Sequence, residues 1–150
     1  MDRFMFRSAV YLLFIKDNKI LLSRRFNTNF YDGSYQIPTG HIDGNESAKS
    51  AAVREAEEET SLKVKESDLD FVYLMHRRRS AHDGLLEYMD IYFRVNRWQG
   101  EAKIVEEDCC DDMKWFDLNN LPSNIIPFHL KAINDINNNI LYSSHGFEVV

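Results

Sequence analysis

Three glutamates in one short segment have the spacing to act together in metal chemistry. Glu55, Glu58 and Glu59 stand at positions i, i+3 and i+4, and on a helix such positions project from one face. Like charges at this spacing destabilise a helix by about 0.2–0.5 kcal/mol per pair. A hard divalent cation would offset that repulsion, and Mg²⁺ bound by one or two carboxylates keeps coordination positions for water and substrate phosphate. The cluster therefore indicates metal-dependent chemistry on a phosphate compound.

The same helical arithmetic places apolar residues on the acidic face, so this face is also predicted to pack against the rest of the protein. The apolar members are Ala48, Ala51, Ala52 and Leu62. Surface helices normally separate charge from the apolar stripe. The alternative is a solvated acidic helix neutralised by Lys49 and Arg54, which is the usual outcome for a run of charges.

A glycine loop precedes this helix and favours the metal interpretation. Gly40 and Gly44 allow backbone conformations that are closed to other residues and let a main-chain carbonyl come close to an ion. We expect Asn45 to be the helix N-cap, with Glu46 in the first turn, where the helix dipole favours negative charge. Loop and helix are thus predicted to form one unit.

The segment resembles the Nudix box, the signature GX5EX7REUXEEXGU of the Nudix hydrolase family, in which U is a bulky aliphatic residue. Two positions depart from the signature, because Ala56 replaces the first aliphatic residue and Ser61 replaces the last glycine. A glycine would suit a left-handed helix end, so serine there costs on the order of 1 kcal/mol. The matching residues are Gly40, Glu46, Arg54, Glu55, Glu58, Glu59 and Leu62.

The resemblance implies hydrolysis of a nucleoside diphosphate linked to another group, by water attack on phosphorus with help from Mg²⁺ or Mn²⁺. Glu58 and Glu59 correspond to metal ligands, and Glu55 to a residue that is a ligand in some members and the general base in others. The carbonyl of Gly40, or of the residue before it, is a candidate ligand. Arg54 would orient neighbouring carboxylates through charge-assisted hydrogen bonds.

Further site residues follow from the same resemblance. Glu46 would be a structural partner of Arg54. Many Nudix enzymes supply another carboxylate from a distant loop, and Glu106 is the first candidate here, followed by Glu107; the alternative is an acidic surface loop. Dimers are common in the family, which leaves a homodimer open.

Length, composition and net charge limit the number of domains and the kinds of binding partner. A chain of 150 residues with 44% hydrophobic residues suits one globular domain spanning residues 1–150. The formal net charge of −6 disfavours binding to a nucleic-acid polymer or an anionic membrane. No signal-peptide cleavage site follows the first apolar stretch, Ala9–Ile15. Cys109 and Cys110 are adjacent and lack zinc-ligand spacing. A reduced, cytoplasmic location is the simplest expectation.

The periodicity predicts a mixed order of strands and helices, and the resemblance implies an α/β fold with a mixed β-sheet sandwiched between α-helices. We expect a helix over Asn124–Ile140 or starting at Pro127, after the acidic helix of the box. The predicted strands are Ser8–Ile15, Lys19–Arg25, Tyr35–Pro38, Asp70–Met75, Tyr88–Val95 and Met113–Phe116.

Candidates for substrate binding are less well defined. Arg25 would contact phosphate at the end of the second strand, or form a salt bridge. Tyr31 would stack on a base, although aromatic residues are more often core residues. Asn124 would read the base, as in MutT-like proteins, or cap the last helix. The run Arg77-Arg78-Arg79 is either a solvated strand end or a phosphate contact.

Two functions remain open on the sequence. The first is a Mg²⁺-dependent pyrophosphohydrolase acting on a nucleoside triphosphate, oxidised or not, or on an ADP-ribose-type compound. The second is a non-catalytic nucleotide-binding or regulatory module that keeps the fold. Every charged position of the box is present, which favours the enzyme.

Overall fold

The computed structural model describes residues 1–82 and 84–148. In these residues four strands precede the first α-helix, three lie between the two α-helices and one follows the second. A short 3-10 helix, Glu66–Asp68, leads into the fifth strand. The bounds are β1 Arg7–Lys16, β2 Lys19–Arg25, β3 Tyr35–Gln36, β4 Thr39–His41, α1 Ala48–Thr60, β5 Leu69–Ala81, β6 Gly84–Val95, β7 Cys110–Asp117, α2 Pro127–Asn137 and β8 Tyr142–His145.

The sheet is mixed, with the order β3-β2-β1-β6-β5-β8. Strand β1 is central, since it runs parallel to β6 and antiparallel to β2 and β4. Strand β5 is antiparallel to β6 and parallel to β8, while β7 pairs antiparallel with β2. Parallel and antiparallel pairs in one sheet are what a chain that interleaves strands and helices produces.

The side chains of β1 alternate between the two faces of the sheet, and both faces are covered. Val10, Leu12 and Phe14 pack with the alanines of α1. Tyr11 and Leu13 pack on the opposite face with apolar residues of α2. Because successive strand residues point to opposite faces, a continuous apolar run is the expected sequence of a strand covered on both sides. The predicted sheet between helices is confirmed.

Helix α1 begins two residues later than the expected cap. Ser47, and not Asn45, is the N-cap, and its hydroxyl accepts a hydrogen bond from the Ser50 amide at 3.1 Å. Asn45 instead has a positive φ of 65°, a conformation that asparagine tolerates better than most residues. The buried face of the helix combines Ala51, Ala52, Glu55, Ala56 and Thr60. It therefore packs a carboxylate among small side chains.

Ser61 ends α1 in the left-handed conformation, with φ 68° and ψ 2°. A side chain is strained in this region, so we expect Ser61→Gly to raise the free energy of unfolding by about 0.5–1 kcal/mol in urea unfolding. Ser50→Gly, at an exposed position inside the same helix, is the matched control and should lower it by about 0.5 kcal/mol. Equal destabilisation by both substitutions would contradict this account of Ser61.

Other predicted bounds need correction. Strands β5 and β6 extend as a long hairpin, so the predicted strands over Asp70–Met75 and Tyr88–Val95 were too short. The arginine run therefore lies inside β5, and Arg77 is only 4% exposed. Helix α2 starts at Pro127, which supplies the fixed φ of a first helical residue. Strands β4 and β8 were not predicted, because each has few residues and no apolar alternation.

Across residues 1–82 and 84–148 we find no helix with the length and apolar character needed to cross a membrane.

Candidate active site

A cavity of about 590 Å³ lies beside the acidic face of α1. One part of its lining is acidic, with the carboxylates of Asp43, Glu55, Glu58, Glu59 and Glu106. The rest is mainly cationic and aromatic, with Arg25, Arg77, Arg79, Phe30, Tyr88 and Phe128 among the lining residues. The fold thus brings the three helix glutamates together with Glu106, which is remote in sequence.

Gly40 makes room for the carboxyl group of Glu55. A Cβ atom added at Gly40 would lie 1.8 Å from the Glu55 carboxyl carbon, so any side chain there would displace the carboxylate. Glu55 is only 8% exposed, and this burial raises the pKa of its carboxyl group despite the neighbouring Arg54. Gly40 has no positive φ, in contrast to the sequence expectation of a special backbone conformation. The absence of a side chain at Gly40 instead allows the Glu55 carboxyl group to lie close to the backbone.

Arg54 joins the carboxylates of the loop and the helix. Its guanidinium donates to Glu46 at 2.6 and 3.1 Å, to Glu55 Oε1 at 2.8 Å and to Glu58 Oε2 at 3.1 Å. A further hydrogen bond reaches the carbonyl oxygen of His41 at 3.1 Å. These hydrogen bonds, above all the two to Glu46, raise the pKa of Arg54. The bonds from Arg54 also lower the pKa of Glu46. A fork of fixed N–H donors is suited to orienting several carboxylates at once.

Glu59 and Glu106 face each other across the acidic part of the cavity. Burial, followed by the charges of Glu106 and Glu55, raises the pKa of Glu59 to about 8, although Arg25 opposes the shift. Glu106 is exposed and also accepts a weak hydrogen bond from the Cys109 thiol at 3.4 Å. Carboxylates crowded in this way would be stabilised in their ionised form by a cation.

The donor set fits a hard divalent cation by its chemistry. Oxygen ligands from several carboxylates are what Mg²⁺ and Mn²⁺ prefer, and five carboxylates line this cavity. In the described part of the chain no three His, Cys, Asp or Glu side chains already converge on one point. Glu58, with a side chain that is 48% exposed, and the exposed Glu106 have room to change rotamer. Binding of a cation here would therefore require movement of these side chains.

A buried ion pair joins Arg77, which lines the cavity, to Asp90, which does not. Arg77 Nε donates to Asp90 Oδ2 at 2.6 Å, and the Tyr11 hydroxyl donates to Asp90 Oδ1 at 3.2 Å. Asp90 is fully buried. The Arg77 guanidinium lies between two aromatic rings, 4.3 Å from the centroid of Tyr88 and 4.2 Å from that of Phe128, an arrangement that cation–π attraction favours. This network fixes two aromatic walls of the cavity.

His129 also lines the cavity, and the sequence analysis gave it no role. It is 1% exposed, and its Nδ1 atom has no hydrogen-bond partner in the described structure. Burial, reinforced by the charges of Arg77 and Arg25, lowers the pKa of His129 well below its usual value, so the ring is neutral at pH 7. Its ring stacks against Phe128 and meets Tyr11 edge on. A neutral imidazole completes the aromatic part of the lining.

The remaining predicted site residues lie in different surroundings from one another, and only Arg25 among them lines the cavity. Arg25 lines the cavity and donates to the Phe30 carbonyl at 2.6 Å and to Gln36 Oε1 at 2.8 Å. Tyr31 and Asn124 do not line the cavity; Asn124 is not the N-cap of α2, which is Ile126, and its amide donates to the Gly33 carbonyl at 2.8 Å. Gly44 has neither a positive φ nor a crowded Cβ position. No backbone reason for a glycine is found there.

Comparison with known families gives one match over most of the chain. A sequence model of the NUDIX domain matches residues 5–136, which include the cavity, α1, the loop that carries Glu106, and nearly all of α2.

Individual proteins show the same similarity. The chain is 37% identical to an ADP-ribose pyrophosphatase of Methanocaldococcus jannaschii, and the match covers 80% of this chain and 66% of that relative, which is just under two thirds of its length. It is 28% identical to an RNA pyrophosphohydrolase of Pelagibacter ubique, covering 81% of this chain and 82% of the relative. A crystal structure of a MutT NUDIX hydrolase from Burkholderia pseudomallei superposes with a TM-score of 0.78 at 23% identity, over 87% of this chain and 97% of that one.

Proposed function

The chain belongs to the NUDIX domain family, and from this premise we propose that it is a divalent-cation-dependent pyrophosphohydrolase that cleaves a nucleoside diphosphate linked to a further group. The two relatives are named as an ADP-ribose pyrophosphatase and an RNA pyrophosphohydrolase, and both names describe cleavage of a phosphoric anhydride. The observation that carries the proposal is the convergence of Glu55, Glu58, Glu59 and Glu106 on one cavity.

The acidic part of the cavity would hold the cation. Glu58 and Glu59 would be its first ligands, joined by Glu106, by the Gly40 carbonyl and by Glu55 unless that residue is the base. A bound divalent cation supplies charge neutralisation of the diphosphate and lowers the pKa of a coordinated water.

Arg54 would act as a positioning residue for this group. Its guanidinium holds Glu55 and Glu58 from one side and is itself held by Glu46. Glu55, which is buried and held in this way, would lose little further entropy when a cation binds, whereas the more exposed Glu58 would still change rotamer.

Arg25 would bind the diphosphate beside the acidic cluster. Its charge acts on Glu59, so the two groups are close, and the Phe30 carbonyl and Gln36 hold its guanidinium in place. Because a diphosphate bound at the carboxylates would reach Arg25, this residue would neutralise charge that the cation does not. Glu55 would be either a ligand or the base that takes the proton of the attacking water.

A panel of substrates tests the proposal. We expect release of a monophosphate from ADP-ribose, a nucleoside triphosphate or an oxidised triphosphate in the presence of Mg²⁺ or Mn²⁺, and loss of that activity when EDTA removes the cation. Pyrophosphate as the second product would identify a triphosphate substrate. Silence of folded protein across the panel, together with nucleotide binding in calorimetry, would instead establish a non-catalytic module.

A further inference from the structure

A second, smaller pocket of about 260 Å³ adjoins the candidate active site. We call it the annex pocket. Four residues line both it and the main cavity and form the boundary between them, namely Phe30, Arg77, Arg79 and Phe128. Tyr31, Ser80 and His145 line only the annex pocket. A ligand that occupies the main cavity can therefore extend past this boundary without leaving the protein surface.

The annex pocket differs from the main cavity in charge. Neither an aspartate nor a glutamate is among its lining residues in the described structure, whereas Arg77, Arg78 and Arg79 all are. Two of these arginines are already engaged. Arg77 is paired with Asp90, and Arg78 donates to the Gly146 carbonyl at 3.1 Å while its guanidinium lies 4.6 Å from the Phe147 ring centroid.

Among the described residues, Arg79 is the arginine of the annex pocket that has neither a carboxylate nor a carbonyl as hydrogen-bond partner. Within residues 1–82 and 84–148 no carboxylate lies within salt-bridge distance of it. Its guanidinium lies 4.4 Å from the ring centroid of Phe30 and 5.9 Å from that of Tyr88. The group is thus held on the shared boundary, and most of its five N–H donors remain for an anion.

The scissile diphosphate would not use this arginine. The diphosphate is assigned to the acidic part of the cavity, where Arg25 is the cation that acts on Glu59. An anion at Arg79 would be a separate group, on the side of the substrate that faces the annex pocket. The exposed ring of Tyr31 there suits a ribose or a base that continues past the anion.

We propose that Arg79 binds a phosphate that the substrate carries on a ribose hydroxyl, outside the scissile diphosphate, and that the annex pocket accommodates what lies beyond it. This inference rests on the proposed function, since it takes the diphosphate to lie at the glutamates. The substrate class is then a nucleotide with an additional ribose phosphate. That phosphate is either a free monoester or the diester that leads to a second nucleotide.

Equilibrium binding tests the proposal without hydrolysis. The ligands are AMP, adenosine 3′,5′-bisphosphate and the 5′-phosphorylated dinucleotide pApA, none of which contains an anhydride. In calorimetry with Mg²⁺ we expect the wild-type protein to bind the bisphosphate, the dinucleotide or both about tenfold more tightly than AMP, the usual effect of one charge-assisted hydrogen-bonded contact. Arg79→Gln should abolish this preference, whereas Arg79→Lys should keep part of it.

Arg94→Gln is the matched control, because it removes one positive charge from an exposed position of β6 that lines neither pocket. It should retain the full preference. Tight binding of the bisphosphate alone supports the monoester, and tight binding of the dinucleotide supports the diester. Equal affinity of the wild-type protein for all three ligands, or an undiminished preference in folded Arg79→Gln, would overturn the proposal. A lack of hydrolysis in the substrate panel would overturn the proposed function only.

Discussion

Glu55→Gln should lower cation-dependent hydrolysis about 10²–10⁴-fold, the range expected when a general base is removed. Glu55 lies in the cavity, is held by Arg54 and has a carboxyl group that fills the space left by Gly40. Glutamine has the same shape and still accepts a hydrogen bond from Arg54, so the fold should be retained. Initial rates at saturating Mg²⁺, with circular dichroism of each variant, provide the measurement.

Glu57→Gln is the control, since Glu57 lies on the same helix but is exposed and does not line the cavity. Its activity should stay within about twofold of the wild type, as for surface substitutions generally. Calorimetric titration with Mn²⁺ separates the two roles of Glu55. If Glu55 is only the general base, Glu55→Gln leaves the affinity for Mn²⁺ unchanged. If Glu55 is a metal ligand, the substitution lowers that affinity. Turnover by Glu55→Gln at the wild-type rate would show that Glu55 has neither role.

Asp90→Asn should lower the free energy of unfolding by about 3–5 kcal/mol, because it leaves the guanidinium of Arg77 buried without its counter-charge. Both members of the pair are almost inaccessible, with side-chain exposures of 5% for Arg77 and 0% for Asp90. The amide keeps the volume of the carboxyl group, so the loss reports the charge and its hydrogen bonds. Urea unfolding at pH 7 measures it.

Asp111→Asn makes the same chemical change in an exposed ion pair of similar length. Arg24 Nε lies 2.7 Å from Asp111 Oδ1, and the two side chains are 35% and 37% exposed. We expect a loss below about 1 kcal/mol, since solvent screens such pairs. Similar losses for the two variants would contradict the special cost assigned to the buried pair.

The sequence predicted those parts of the fold that have a clear hydrophobic period. Strand β2 was predicted with its observed bounds, and the helical spacing of the glutamates placed Glu55 on the packing face of α1. Strands β4 and β8, with three and four residues, are too short to show a hydrophobic period. Their existence depends on pairing with β5 and β1, which local sequence does not encode.

The candidate site was predictable where its residues are close in sequence. Arg77 and Asp90 come from different strands, and their pairing follows from the register of the β5–β6 hairpin. A signal was present, because Asp90 has the same strand parity as buried Tyr88 and Tyr92, and a charged residue at a buried position requires a partner. His129 gave no such signal, since an isolated histidine in a helix is compatible with many environments.

The predictions for substrate contacts depended on loop residues, and their roles in binding stay predictions. Tyr31 and Asn124 were selected for residue type and approximate position, yet the fold places both outside the main cavity. Loop conformation follows from local hydrogen bonds such as those of Asp32 with the amides of Thr28 and Asn29, and these bonds cannot be inferred from composition. Tyr31 reaches only the annex pocket.

Strand β1 contributes alternate side chains to both apolar cores, so the stability of each core depends on the same strand. Opening of the α1 side exposes Leu12, and opening of the α2 side exposes Leu13, the next residue along the same backbone. Neither layer can melt far without loosening the strand that the other needs, so the helices should unfold as one cooperative unit. Amide protons of β1 would then exchange with solvent last, at the rate of global unfolding.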